Sequence, residues 1–508
     1  MHPSIGPLPL TLRTAAGLAL GLSCFLVGNS LAQTRQGAYL QNKFFADQIW
    51  FDRLHTLPPM PKADTFRPWN ATASAFTPSY GSTYSTPSTP DYTAPAAQTV
   101  YPAPAPTPAP AVPQLVLAPA PPLSASERAS RGQRAIGSGD YVLALAELSL
   151  AANAGNPAAQ NDLGYLYFQG LGVKRDEARA VQWFESAAAQ GHPFAQSNLG
   201  VAHFDGRGVP KDVNKALDWM RKAAAQGESA AQVGLGVAYL RGLDGKAHDD
   251  HEIAALFEKA ALAGRPSGKY WFGYMHEAGR GTRVIASIAA VWYEAAARQG
   301  FAPAQTAFGR LWAEGRGVTP NDTKAVEWFR KAAAQGDALG QTYLGAMLVQ
   351  GRGAPASDSE GAAWYRKAAE QGEPWAQNNL GIMYETGRGV PKDEALAVSW
   401  IAKAAAAGLA EAQSNFGELA ELGRGTPKDL VRAAQLYRSA AEQGHVLAQF
   451  LLGRAYEEGR GVPKHRGEAL VWYGKAAQQG QADAKERLAA LSRTTKPAPQ
   501  PRSAKSEG

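Results

Sequence analysis

The sequence predicts an all-α solenoid of about nine to ten helix–turn–helix repeats, each 36 residues long, behind a Pro-rich linker. Three observations predict it. An apolar residue followed by glycine recurs at Gly164, Gly200, Gly236, Gly273, Gly309, Gly345, Gly381, Gly417 and Gly453, stepping by 36 residues with one step of 37. A second glycine ladder runs from Gly155 to Gly480 at the same step. Within one unit, Ala376–Gly408, Leu380 and Tyr384 stand four apart, as do Leu396 and Trp400, the interval that places side chains on one helix face. Length alone would divide 508 residues into about three domains, but an internal repeat overrides that prior.

Taken in chain order, residues 1–32 read as an export signal. Arg13 precedes an apolar run from Ala15 to Val27, and small Ser30 and Ala32 stand before Gln33, as a cleavage site requires. The run is too short to span a bilayer as a helix; an uncleaved anchor is the competing reading. The single cysteine, Cys24, lies inside the run behind Gly-Leu-Ser, a poor lipidation signal. Cleavage after Ala32 would leave no cysteine, which excludes disulfides, thiolate nucleophiles and cysteine-ligated metals.

Residues 33–70 form a short aromatic segment. Leu40, Phe44, Gln48, Phe51 and Leu54 follow helical spacing within Ala38–Leu57, and Pro58-Pro59 ends the pattern. This helix either packs on its own protein or docks on a partner. Residues 71–123 are rich in Pro, Ala and Thr. Such a stretch favours extended polyproline II and reaches on the order of 100 Å. Residues 494–508, rich in Lys, Pro and Ser, are expected to be disordered.

Residues 124–493 hold the repeats. Helix A carries the mid-helix glycine, which costs about 1 kcal/mol relative to alanine. The expected gain is close approach to a small surface on helix B, where an Ala-Ala pair such as Ala404-Ala405 precedes the closing glycine. Tryptophan recurs at one helix B position (Trp183, Trp219, Trp292, Trp328, Trp364, Trp400, Trp472), the mark of a core knob. Gly408 and its equivalents fit a left-handed helix C-cap.

The loop Gly387–Ala395 reads GRGVPKDEA. A phosphate cradle needs several free backbone N–H groups and no competing anion. Here Pro391 removes a donor, Asp393 brings a carboxylate, and Lys392 is matched by Pro320 and Ala356 in other units. The two glycines suit a sharp reversal. Asp393 stands at a position held by Asp140, Asp176, Asp212, Asp249, Asn321, Ser357 and Asp429, all preferred N-caps. Ile285 and His465 depart from that pattern.

Net charge is +7. It spreads thinly: the region between Leu123 and Thr494 carries 42 basic and 39 acidic groups. Nucleic-acid binding needs a concentrated basic stripe, and none is present. No GxSxG elbow, P-loop, HExxH or S-x-x-K with K-T-G motif occurs. The densest metal-type cluster, His248–Glu252 (HDDHE), falls where a helix B begins, so its acids suit the positive end of the helix dipole. No catalytic, cofactor or metal residues are assigned.

The Ala-Gln, Leu-Gly, Tyr, Gly-x-Gly-Val, Asp, Ala, Trp and Ala-Ala…Gly positions resemble the Sel-one-like repeat family, a relative of the tetratricopeptide repeat. The likeness runs from about Asp140 to Arg493, about 70% of the chain. It implies a right-handed superhelix that scaffolds protein complexes, often in bacterial envelopes. A cysteine-rich branch of that family has been linked to β-lactam hydrolysis; this chain lacks those cysteines. Ala482–Leu491 copies helix A with Ala489 in place of glycine and a charged run, as a capping unit should.

By analogy with related solenoids, three variable helix A positions line a concave groove: three before, one after and five after the Leu-Gly glycine. The candidate partner-binding residues are Tyr165, Tyr270, Trp271, Tyr274, Arg310, Phe450 and Arg454, since exposed Tyr and Arg make binding hot spots. In the other reading, Tyr270 and Trp271 fill gaps in an irregular unit where Lys269 replaces the usual Gln. The expected function is a non-enzymatic scaffold, periplasmic or secreted, that holds a protein or peptide. The alternatives are a cell-wall glycan ligand and a β-lactamase-like hydrolase.

Overall fold

A computed structural model describes residues 123–493. The expectations for 1–122 and 494–508 (export signal, aromatic helix, most of the linker and the tail) lie outside the described residues. From Ala125 to Arg493 the chain forms 21 α-helices, with no strand among the described residues. Ten antiparallel A–B pairs follow one another, and the helix Ala482–Arg493 closes the row. No described helix is long and apolar enough to cross a membrane.

The unit containing the GRGVPKDEA loop shows how the sequence makes each pair. Helix A, Pro374–Thr386, starts with proline in its first turn and stops at Gly387, whose φ is 71°. Helix B, Glu394–Ala406, starts at Asp393, whose carboxylate accepts from the Leu396 N–H at 2.9 Å. It ends before Gly408, φ 91°, whose N–H donates to the Ala405 carbonyl. His465 caps as well, its Nδ1 accepting from the Glu468 N–H at 3.0 Å. Ile285 makes no side-chain cap bond.

The mid-helix glycine has a different reason from the one the sequence suggested. A Cβ at Gly381 would lie 2.5 Å from Ile401 Cγ1, and one at Gly417 2.6 Å from the Tyr437 ring. Gly164, Gly309 and Gly453 meet Phe184, Phe329 and Tyr473 in the same way. The glycine is therefore a socket for a large side chain of its own unit's helix B; the helices do approach closely there, the Ala397 carbonyl oxygen lying 3.0 Å from a Cβ at Gly381, but the surface met is not the Ala-Ala pair. Fully burying such a side chain gains about 1.5–3 kcal/mol, which outweighs the helical cost of about 1 kcal/mol. The Ala-Ala pair faces the next unit instead. There the Gln413 side chain donates to the Ala405 carbonyl at 3.3 Å, as Gln377 does to Ala369 at 3.1 Å.

The socketed residue directly follows the tryptophan position, which corrects the core-knob expectation. One residue further round a helix is about 100° away, so the tryptophans sit at the margin of the core. Trp472 alone of the seven is buried; the others are half-buried. In five of the seven units a lysine one turn on covers the ring: Lys403 lies 4.0 Å from the Trp400 ring centroid and Lys331 4.1 Å from that of Trp328.

Neighbouring units are clamped by the loop. A Cβ at Gly389 would lie 2.4 Å from the Asp358 carbonyl oxygen, so the loop rests on the start of the preceding helix B. Arg388 then reaches Asp358 at 2.7 Å and the Val349 carbonyl at 2.9 Å. Arg280–Asp250 and Arg352–Asp322 repeat the clamp. The arginine of this loop is spent on the clamp, and Lys392 pairs with Glu394 at 3.0 Å.

One helix escaped the sequence reading. Ala125–Ser138 is helix A of the first pair; it lacks the Leu-Gly signature, and its C-cap Gly139 runs directly into the N-cap Asp140 without the longer loop of the other units. Two signals mark it. Ser124 and Glu127 form a capping box, and Gly132 is a socket for Leu148, 2.5 Å from a Cβ placed there.

Candidate functional site

Curvature follows from which helices crowd. At several units, successive A helices come within 8 Å along their Cα traces, and no successive B helices do so to that extent. The A helices therefore line the inner, concave side, where the sequence reading placed the groove.

The three variable positions do not share one fate there. The residue three before the glycine points at the neighbouring A helix. Asn161 accepts from Asn198 at 2.9 Å, Asn378 from Asn415 at 2.9 Å, and Thr342 donates to Glu373 at 2.9 Å. This column is buried from Asn161 to Ser414 and only half-buried at Phe450. It glues units together. The position one after the glycine reaches the inner surface at Tyr165, Ile382, Glu418 and Arg454 and is buried in the units from Val201 to Ala346; the position five after it is half-buried or exposed throughout.

The expected exposure fails for four of the seven candidates. Tyr270 is 2% exposed, and Trp271, Tyr274 and Arg310 are also buried. Tyr270 packs on Tyr293 and Phe301, with ring centroids 5.6 and 5.7 Å away. Trp271 stacks on Phe257 at 5.6 Å. The cause is local: the rings of Phe257, Tyr293 and Phe301 pack around this helix, and Gly268, like Gly340 in another unit, stands where the remaining units have alanine, so that a Cβ there would lie 2.7 Å from Ala260 Cβ. Helix Pro266–Ala278 sits tight against the preceding helix B, so its rings fill the core. Burial pushes the Tyr270 and Tyr274 hydroxyls up. Tyr165, Phe450 and Arg454 remain half-exposed on the inner face.

Arg310 belongs to a buried charge network. Its Nη2 donates to Glu277 at 2.5 and 2.7 Å, and its Nη1 to Glu314 at 3.1 Å. Tyr293 donates its hydroxyl to Glu277 at 2.8 Å, and Arg316 adds a contact at 2.9 Å. Burial alone would raise the Glu277 carboxyl; the Arg310 guanidinium outweighs it and holds Glu277 below the usual glutamate range. The same set recurs four units on. Glu421 meets Tyr437 at 2.7 Å, Arg454 at 3.1 Å and Arg460 at 2.8 Å. Sequence reasoning treated Arg310 and Arg454 as free hot spots. The signal it missed is the glutamate 33 residues earlier in both cases.

The HDDHE stretch is absorbed by the fold. His248 Nε2 sits 2.8 Å from Asp244, and its ring stacks on Tyr239 at 3.5 Å. Asp249 caps its helix and Asp250 takes the Arg280 clamp. Among the described residues, no group of three His, Cys, Asp or Glu could hold a metal.

With this geometry in view, the family model for the Sel1 repeat matches nine segments: 157–192, 193–228, 229–264, 266–301, 302–337, 338–373, 376–409, 410–445 and 446–481. Among solved structures, the chain is similar to a protective antigen of uropathogenic Escherichia coli that displays an SLR fold. The two are 34% identical over 73% of this chain and 80% of that one, with a TM-score of 0.57. A Sel1 repeat protein from Oxalobacter formigenes is 32% identical over 65% of this chain and 93% of that one, with a TM-score of 0.43. No curated protein matches the chain.

Proposed function

The chain belongs to the Sel1 repeat family, and on that footing we propose that it is a non-enzymatic scaffold whose inner A-helix face holds a protein or peptide partner in the cell envelope. Sel1-repeat solenoids commonly mediate protein–protein interaction and are typically non-catalytic. The observation that carries the reading is the inner face itself. It presents half-exposed Tyr165, Ile382, Phe450 and Arg454 on rigid helices, a mix of aromatic, aliphatic and guanidinium groups suited to a polypeptide. The signal-like residues 1–32 support export. The glycan alternative loses its footing, because the aromatic residues that suggested it, Tyr270, Trp271 and Tyr274, lie in the core.

Site-specific photo-crosslinking in intact cells tests this. A benzophenone side chain at Tyr165 or Ile382 should give one shared adduct band. The same group at Val142, exposed on the first helix B, should give none. Equal adducts from Val142, or none from either inner position, would refute the inner face as the binding surface.

A further inference from the structure

The inner face holds a charge that the fold leaves uncompensated. Four residues after the Leu-Gly glycine, glutamate occurs at Glu277, Glu385, Glu421 and Glu457; the last, beside the closing helix, meets Tyr473 at 2.7 Å and Arg487 at 3.6 Å. For Glu277 and Glu421, the residue 33 further on, in the next helix A, is an arginine whose guanidinium binds the carboxylate: Arg310 and Arg454. For Glu385 that residue is Glu418. The first two loci balance. Glu277 and Glu314 face Arg310 and Arg316, and Glu421 and Glu458 accompany Arg454 and Arg460. At the third, Arg424 reaches Glu385 at 2.9 Å, Glu418 is a second acid, and Leu422 stands where the other loci have a glutamate.

The surroundings combine acidic and apolar groups. Glu385 is half-buried; burial raises its carboxyl, Arg424 lowers it, and Glu418 raises it further. Half-buried Ile382 and exposed Leu422 flank the two acids. A planar guanidinium suits two neighbouring carboxylates that feel one another's charge better than an ammonium does, because its fixed fork can donate to both.

We infer that this place receives one arginine side chain of a bound polypeptide, its guanidinium between Glu385 and Glu418 and its apolar neighbours on Ile382 and Leu422. The partner's arginine would stand where Arg310 and Arg454 stand in the equivalent units. This rests on the inner face being the binding surface, and it adds the chemistry that the face selects: a basic residue between apolar ones.

The test is fluorescence anisotropy on the full chain with a labelled, end-blocked peptide Ala-Leu-Arg-Leu-Ala and its citrulline counterpart, which keeps the shape and removes the charge. A charge-assisted hydrogen bond predicts at least about tenfold weaker binding of the citrulline peptide. Glu385→Gln and Glu418→Gln should each weaken the arginine peptide about fivefold or more and leave the citrulline peptide unmoved. Equal affinity for the two peptides, no binding of either, or unchanged binding by both variants would overturn the inference. Markedly tighter binding by a chain ending at Arg493 would assign the place to the chain's own basic tail and overturn it too. In all these cases, position-specific crosslinking at Tyr165 would leave the broader reading standing.

Discussion

The Glu277 and Glu421 loci use the same residues at the same offsets, and yet they are not energetically alike. The Arg310 side chain is 7% exposed and the Arg454 side chain 32%. The difference comes from neighbours. Around Arg310 the aromatic side chains of Tyr270, Tyr274 and Tyr293 are buried, whereas at Arg454 the solenoid is near its end and water reaches the pair. The repeat thus specifies who pairs with whom, and the local core decides how much the pair matters.

The largest expected effect breaks that comparison. Arg310→Ala strands a buried carboxylate and should cost about 3–5 kcal/mol. Arg454→Ala should cost about 1 kcal/mol, since its pair is solvent-screened. Urea unfolding midpoints of the two variants give the contrast; equal shifts would refute it. Next come the sockets, which the two loci share. Gly309→Ala and Gly417→Ala push a methyl group into Phe329 and Tyr437 and should each cost about 1–3 kcal/mol, with no locus dependence.

Smaller effects sharpen the contrast. Helix B beside Glu277 begins at uncapped Ile285, and helix B beside Glu421 begins at Asp429, which accepts from the Arg432 N–H at 2.9 Å. Ile285→Asp should therefore gain up to about 1 kcal/mol, and Asp429→Ala should lose about as much; thermal melts read both signs. The smallest effect is on acid sensitivity. Glu277 has its carboxyl held below the usual range. Its contribution is complete above the unfolded glutamate value and is lost as pH falls through the folded one. Melting temperatures of Glu277→Gln should therefore fall less steeply with acid than those of the unaltered chain.

Much of the fold was legible because a repeat states its own rules ten times. The two glycine ladders, the N-caps and the helix period locate the units from Tyr141 onward. The contact each glycine serves was not legible. Spacing shows that Gly381 and the Ala-Ala pair are small, but not that Ile401 fills the first and the next unit covers the second. The candidate site was read less well for a related reason. Variability between units marks Tyr270, Tyr274 and Arg310 equally with Tyr165 and Arg454, whereas burial depends on which side chains pack around each position, as Tyr293 and Phe301 do around Tyr270. The Ser124–Glu127 capping box was in the sequence all along and locates the first helix.

The central claim is that Glu277, Glu385 and Glu421 mark equivalent places on the inner face: the first and last are balanced by two arginines of the chain, and the Glu385 place, with Arg424 alone against Glu385 and Glu418, has room for a second guanidinium. The double-mutant cycle of Glu418→Arg with Glu385→Gln measures it directly by thermal unfolding. Glu418→Arg should raise stability by about 1 kcal/mol for a partly exposed pair, and that gain should vanish when Glu385 is already Gln. A loss of stability on Glu418→Arg, or a gain that survives Glu385→Gln, would contradict the equivalence.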